Sequence, residues 1–179
     1  MVIFLNRILQ VGWDDDMLNA DSLILITGGA GYIGSHTVHH LICNGVKPQD
    51  IIVFDNLVYG HKEHLPPEVI FIKGDLTNKK EIDHVFNKFN IKSVIHFAAY
   101  AYVGESMQEP GKYFNNNLSG GLNLLEAMYK YKCKKIVFSS TCSTFGLPEK
   151  LPITEDELQK PINPYGESKL MFEGILEWY

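Results

Sequence analysis

An apolar run, Leu23-Ile24-Leu25-Ile26, gives way to Thr27-Gly28-Gly29-Ala30-Gly31-Tyr32-Ile33-Gly34, and an apolar helical pattern follows. Glycines at 28, 31 and 34 allow a tight strand-to-helix turn, a close backbone approach to a pyrophosphate and close packing of the helix on a sheet. The helix start then offers free N–H groups and the positive end of its dipole to phosphates. A glycine triplet alone also serves ordinary turns. Here it follows a strand, opens a helix, and precedes a second strand ending in Asp55, where a carboxylate can bond the hydroxyls of an adenosine ribose. The pattern therefore predicts a dinucleotide site, against the plainer reading of a glycine-rich turn with a solvated aspartate. An acid at 55 favours NAD over NADP, because a ribose phosphate would meet like charge there.

From Ser22 onward, short β-rich runs alternate with helical patterns. The runs are Leu23–Ile26, Ile51–Phe54, Val69–Ile72, Val94–Phe97 and Ile136–Phe138; helices are expected at about Tyr32–Asn44, Lys79–Asn90 and Tyr113–Tyr131. Near-continuous apolar runs suit strands covered on both faces. Within the second helix, Ile82, Val85, Phe86 and Phe89 recur at the spacing of one buried face. The economical solution is an α/β fold, a doubly wound parallel sheet of the Rossmann type with right-handed crossovers. The stretch from Gly146 to Pro164 reads as a loop with at most a short strand. Gly74-Asp75-Leu76, after the third strand, places a carboxylate and an apolar side chain where adenine would lie, although the aspartate could equally cap a helix.

A second signal lies far along the chain, in Asn163-Pro164-Tyr165-Gly166-Glu167-Ser168-Lys169. Pro164 suits a first helical turn, and Tyr165 and Lys169 then share one helix face. An ammonium beside the phenol, with the positive charge of an oxidised nicotinamide, favours phenolate and makes a proton acceptor. The fifth strand ends Phe138-Ser139-Ser140-Thr141, bringing hydroxyls to the same sheet edge as the glycine turn. Hydroxyl, phenol, lysine and nicotinamide on one edge suit hydride removal from an alcohol carbon.

Composition bounds the rest. With 45% hydrophobic and 21% charged residues in 179, the chain has the profile of one globular domain. Sixteen Lys and Arg, scattered singly against twenty-one Asp and Glu, disfavour nucleic acid and anionic membranes as partners. Cys43, Cys133 and Cys142 form no pair and no zinc spacing, so a reducing, cytoplasmic compartment is the simpler reading. The seven histidines show no ligand geometry, and no metal is expected. Met1–Val11 is too short to span a bilayer and poorly built for export. Residues 1–21 read as an extension of unknown role, and residues 22–179 as the NAD-binding domain.

Thr27–Gly34, "HFAAYAYVGES" (96–106), "SSTCSTFG" (139–146) and "NPYGESK" together resemble the extended short-chain dehydrogenase/reductase family, most closely nucleotide-sugar 4-epimerases of the UDP-glucose 4-epimerase kind. The resemblance runs from about Leu23 to Tyr179. It implies that Tyr32 and Ile33 lie at the pyrophosphate, Asp55, Asn56 and Leu57 at the adenosine ribose, and Asp75 and Leu76 at the adenine. It places Phe97, Ala98 and Ala99 along the nicotinamide half with Asn116 close by, and makes Thr141, Tyr165 and Lys169 the catalytic set. The implied reaction is epimerisation of a UDP-sugar through a 4-keto intermediate on tightly held NAD, in a homodimer of the full-length form.

Two departures qualify the resemblance. Many UDP-glucose 4-epimerases carry a lysine in the strand-four loop where this chain has Ala101, in a Tyr100-Ala101-Tyr102 variant also seen in UDP-arabinose 4-epimerases, so UDP-arabinose/UDP-xylose epimerisation is the alternative. Family members also continue beyond the catalytic helix into a lobe that grips the UDP-sugar. This chain ends at "FEGILEWY", so that lobe is expected to be absent and a catalytically inactive NAD-binding fragment is a further reading. A 4,6-dehydratase is disfavoured because Cys142 and Ser143, rather than an acid pair, follow Thr141.

Overall fold

The computed structural model describes residues 23–148 and 150–179; the extension expected over residues 1–21 lies outside them. In chain order the elements are β1 (Leu23–Thr27), α1 (Tyr32–Cys43), β2 (Ile51–Asp55), β3 (Ile70–Lys73), α2 (Lys79–Lys88) and β4 (Ile91–His96). These are followed by α3 (Val103–Gln108), α4 (Pro110–Tyr113), α5 (Gly120–Lys130), β5 (Lys135–Phe138) and α6 (Pro164–Leu176). The five strands form one sheet in the order β3-β2-β1-β4-β5, and every pairing is parallel. This is the doubly wound architecture expected from the alternation of runs.

The apolar runs are continuous because both sheet faces are covered. Ile24 and Ile26 of β1 point with Ile51, Val53 and Ile95 toward Val38 of α1. Leu25 points the other way, with Ile52, Phe54 and Val94, against Ile82 of α2, Leu124 of α5 and Phe172 of α6. Leu25, Ile26, Ile51, Ile52 and Val53 expose no surface. Each such side chain contributes about 1.5–3 kcal/mol on burial. Because β1 lies between β2 and β4, the order reverses there, and a crevice opens at the carboxyl ends of the central strands.

Local chemistry fixes the helices that matter for this crevice. Pro164 occupies the first turn of α6, and Asn163 Oδ1 caps it by accepting from the Gly166 N–H at 2.8 Å. Ile82, Val85 and Phe86 form the buried face of α2, while Phe89 stands at its C-cap.

The helix expected over Tyr113–Tyr131 is not continuous. A π turn, Phe114–Ser119, separates α4 from α5. Asn115, Asn116 and Asn117 are weak helix formers, and the wider turn leaves the Asn117 side chain free to bond outside the helix, with Asn116 donating to its Oδ1. Helix α3, which the sequence pattern did not reveal, is a short turn reinforced by the Ser106 hydroxyl bonding to Val103 O at 2.7 Å. Strand β3 starts one residue later than expected and β4 three residues earlier. The segment from 146 to 164 contains no strand among its described residues.

Candidate active site

The crevice is a cleft of about 390 Å³ along the carboxyl ends of the strands. Gly28 adopts φ +71°, and a Cβ there would lie 2.5 Å from the Ala98 nitrogen. A Cβ on Gly34 would strike the Gly28 carbonyl. These close approaches let α1 begin directly beneath the cleft. Its N-cap is Gly31, no side chain caps its first turn, and no acid stands in that turn. Tyr32 and Ile33 complete this wall. The backbone donors of an uncapped 12-residue helix, with no acid in its first turn, fit the diphosphate of a dinucleotide.

Asp55 ends β2 with 7% exposure. Its Oδ2 accepts from the Ala30 N–H at 3.0 Å and its Oδ1 from the Leu57 N–H at 2.8 Å, so the carboxylate ties the glycine turn to the loop after β2. Asn56 lines the cleft beside it; Leu57, turned to φ +61°, does not. Asn56 donates to Asp75 Oδ2 at 3.1 Å, while Asp75 Oδ1 accepts from the Thr77 N–H and hydroxyl at 2.8 and 2.7 Å. Burial pushes the Asp75 carboxyl up, but the donors from Thr77 and Asn56 outweigh it and hold the group below its ordinary value. The cap of α2 is Asn78, which leaves Asp75 and Leu76 as cleft wall.

At the opposite end Phe97, Ala98, Ala99 and Asn116 line the cleft, with Ser139, Tyr165 and Lys169 closing it. Lys169 is 4% exposed; its ammonium donates to Ser139 O at 2.8 Å and lies 4.5 Å from the centre of the Phe138 ring. Burial lowers its pKa to about 7, against the opposing pull of the Glu173 carboxylate one turn on. His96, at the end of β4, shares a 2.6 Å hydrogen bond with the Thr27 hydroxyl, and burial together with the Lys169 charge brings it down to about 3.

Tyr165 departs from expectation. Burial raises its phenol above the ordinary value, a hydrogen bond with the Thr141 side chain lowers it, and the Cys142 thiol raises it. The ammonium one turn along is engaged by Ser139 and Phe138, and the lysine is not among the groups that shift the phenol. Thr141 bonds the phenol but does not line the cleft wall, and its Oγ1 also accepts from the Ser143 N–H at 3.1 Å.

Several residues of this site carried no sequence signal. Asn117 grips the strand-four loop, accepting from Tyr100 N–H at 2.9 Å and donating to Tyr100 O at 3.1 Å and to Ser168 Oγ at 3.0 Å. Ser168 in turn donates to Tyr165 O at 2.7 Å. Glu173 bonds the Ser140 hydroxyl and accepts from Gln159 Nε2 at 2.8 Å, pinning the end of β5 to α6. The run of three asparagines was the available hint; the partners are 17 to 51 residues away in sequence and could not be read from it. Among the described residues no group of acidic, histidine and cysteine side chains could hold a metal ion, and no helix is long and apolar enough to cross a membrane.

The sheet order, the glycine turn and the strand-end carboxylate define a dinucleotide-binding α/β domain. Comparison with known proteins narrows this class: residues 24–179 match the NAD dependent epimerase/dehydratase family, and the chain belongs to that family. It is 48% identical over 155 residues to a UDP-glucose 4-epimerase of Lacticaseibacillus casei, covering 87% of this chain and 46% of that protein. A bifunctional UDP-glucose 4-epimerase and UDP-xylose 4-epimerase of Pisum sativum is 44% identical over 167 residues, covering 89% and 48%. The crystal structure of a UDP-glucose 4-epimerase from Brucella ovis in complex with NAD superposes with a TM-score of 0.83 at 42% identity, covering 88% and 47%. The chain thus spans about half the length of the curated relatives it matches.

Proposed function

We propose that residues 22–179 form the NAD-binding domain of a UDP-sugar 4-epimerase acting on UDP-glucose and UDP-galactose. The observation that carries this reading is that one cleft joins an uncapped, acid-free helix start at Gly31 to Tyr165 and Lys169 at its far end. Gly28, Gly31 and Gly34 with Tyr32 and Ile33 hold the diphosphate, Asp55 and Asn56 the adenosine ribose, and Asp75 and Leu76 the adenine. Leu57 supports that end through its bond to Asp55. Phe97, Ala98, Ala99 and Asn116 shape the nicotinamide half.

Bound NAD supplies a reversible hydride acceptor beside the sugar C4. Tyr165 Oη takes the proton of the 4-hydroxyl and later returns it. Thr141, bonded to that phenol, orients the reacting oxygen. Lys169 Nζ holds the nicotinamide ribose and supplies the nearby positive charge that brings the phenol down when the site is filled. The exposed side chains of α5 and α6, including Leu122, Tyr129 and Met171, support homodimerisation of the full-length form.

The test is Tyr165→Phe in the full-length protein, assayed for interconversion of UDP-galactose and UDP-glucose. Loss of turnover by about 10²–10⁴, with NAD still bound, is expected; activity near the parent level rejects the role. The Tyr100-Ala101-Tyr102 loop and the bifunctional pea relative favour assaying UDP-xylose and UDP-arabinose alongside.

A further inference from the structure

Two loops approach the glycine turn from opposite sides. One follows β2 and carries Tyr59; the other follows β4 and carries Tyr100 and Tyr102; β1, which feeds the turn, lies between those strands. Each loop is tied to the β1 segment it flanks. His61 N–H donates to Ala30 O at 2.9 Å, and the Phe97 and Ala98 N–H groups donate to Thr27 O at 2.9 and 3.0 Å. Above those anchors the rings meet. Tyr59 stands edge-on to Tyr102 with centroids 5.0 Å apart, and edge-on to Tyr100 at 5.5 Å. All three rings line the same cleft as Gly28, Gly31 and Gly34.

A ligand laid along the sheet edge from Asp55 and Asp75 to Tyr165 and Lys169 must cross the line joining these loops, between the rings and the glycine turn. We propose that Tyr59 and Tyr102, backed by Tyr100, form a latch over the middle of the cleft that retains the diphosphate of bound NAD. The latch rests on the reading that this cleft takes NAD, and it adds three residues to those assigned to hold it.

The two arms differ in rigidity. The Tyr102 arm is braced by Tyr113, which exposes no surface. The Tyr113 hydroxyl accepts from the Tyr102 N–H at 3.1 Å and lies 2.8 Å from Tyr102 O and 2.6 Å from Glu105 Oε2, sharing its proton between two acceptors. Lys112 bonds the other Glu105 oxygen at 2.6 Å and covers the Tyr100 ring at 4.9 Å. The Tyr59 arm is an exposed loop, with Val58 at 52% and Tyr59 at 42% exposure, entered through the left-handed Leu57. Its side chain is tied to the brace by a hydrogen bond to Glu105, so Tyr59 is the arm that swings once that bond opens, and the braced Tyr102 ring is its stop.

The experiment uses full-length protein loaded with radiolabelled NAD and chased with excess unlabelled NAD, comparing Tyr59→Ala, Tyr102→Ala and the double variant. Each single change is expected to speed release about tenfold, through loss of the ring contacts. The double variant is expected to release no faster than the quicker single one, because either change alone opens the latch. Tyr102→Ala leaves the backbone bonds to Tyr113 in place, and Tyr59→Ala alters an exposed loop and one hydrogen bond to Glu105, so two independent variants report. Release within twofold of the parent in all three, or single effects that multiply in the double variant, overturns the latch. A parent protein that retains no NAD overturns the cofactor reading and the latch together; retention with unaltered release overturns the latch alone.

Discussion

Replacing His96 by Asn is expected to make the fold less sensitive to acid. His96 is 2% exposed, packed against Phe138 and Phe172 with ring centroids at 5.7 and 5.5 Å, and bonded through Nδ1 to the Thr27 hydroxyl. Burial, and then the charge of Lys169, lowers its pKa from 6.5 to about 3. Between those values the unfolded chain binds a proton that the folded chain refuses, so stability is complete above pH 6.5 and falls as the pH drops toward 3. Each pH unit inside that window costs about 1.4 kcal/mol, so moving from pH 7.5 to pH 5 removes about 2 kcal/mol through this one side chain. That is a large fraction of the net stability of an ordinary domain. Asparagine keeps a hydrogen-bonding group near Nδ1 but does not titrate. Lost ring packing lowers the variant's stability equally at both pH values, and carboxyl groups held low, such as Asp75, titrate in parent and variant alike. Urea denaturation at pH 7.5 and 5 should therefore show a drop about 2 kcal/mol smaller in His96→Asn. Equal drops in the two proteins would refute a neutral, buried imidazole.

Lys169→Met should flatten the alkaline side of the cofactor-free protein's stability profile. With its pKa lowered from 10.5 to about 7, the parent's unfolded chain holds the extra proton across that interval, so parent stability rises by about 2 kcal/mol from pH 7 to 9 while the variant's stays level, as thermal melts in the two buffers will read. Phe172→Ala removes a side chain 1% exposed that packs on Phe138 at 4.7 Å, and should cost about 3–5 kcal/mol in chemical denaturation; a loss under 1 kcal/mol would mean that α6 is not anchored there. Asn117→Ala strips the Tyr100 backbone and Ser168 of a shared partner, for a loss of about 1–3 kcal/mol measured the same way.

What the sequence revealed was what short-range patterns encode. Strand runs could be read because a sheet covered on both faces needs unbroken apolar residues, and Asn163-Pro164 announced α6 because capping is a matter of three or four neighbours. Gly28 and Gly34 were legible for the same reason: the strand-to-helix turn admits no side chain at either position. Distant partners decided the remainder. Nothing near Asn117 indicates that it will clasp Tyr100, and nothing near Tyr59 indicates that its ring will meet Tyr102. The expected acidic phenol at Tyr165 rested on helical spacing together with the charge of a bound nicotinamide; spacing places Lys169 on the right face but cannot say that Ser139 and Phe138 will occupy its ammonium.

The position of β1 governs the order in which the molecule can assemble. Leu25 pairs with Ile52 on one side, 27 residues away, and with Val94 on the other, 69 residues away. Closing the longer loop costs about 0.8 kcal/mol more chain entropy, and no local hairpin repays it early. During synthesis the segment through β2 can zip up first, leaving the opposite flank of β1 bare until β4 has emerged. The backbone of Phe97 and Ala98, which walls Gly28, arrives with that last partner. A wall for the glycine turn is therefore a late event in the life of the nascent chain, gained when the fourth strand docks, and Ser139, Tyr165 and Lys169 at the other end of the cleft arrive later still.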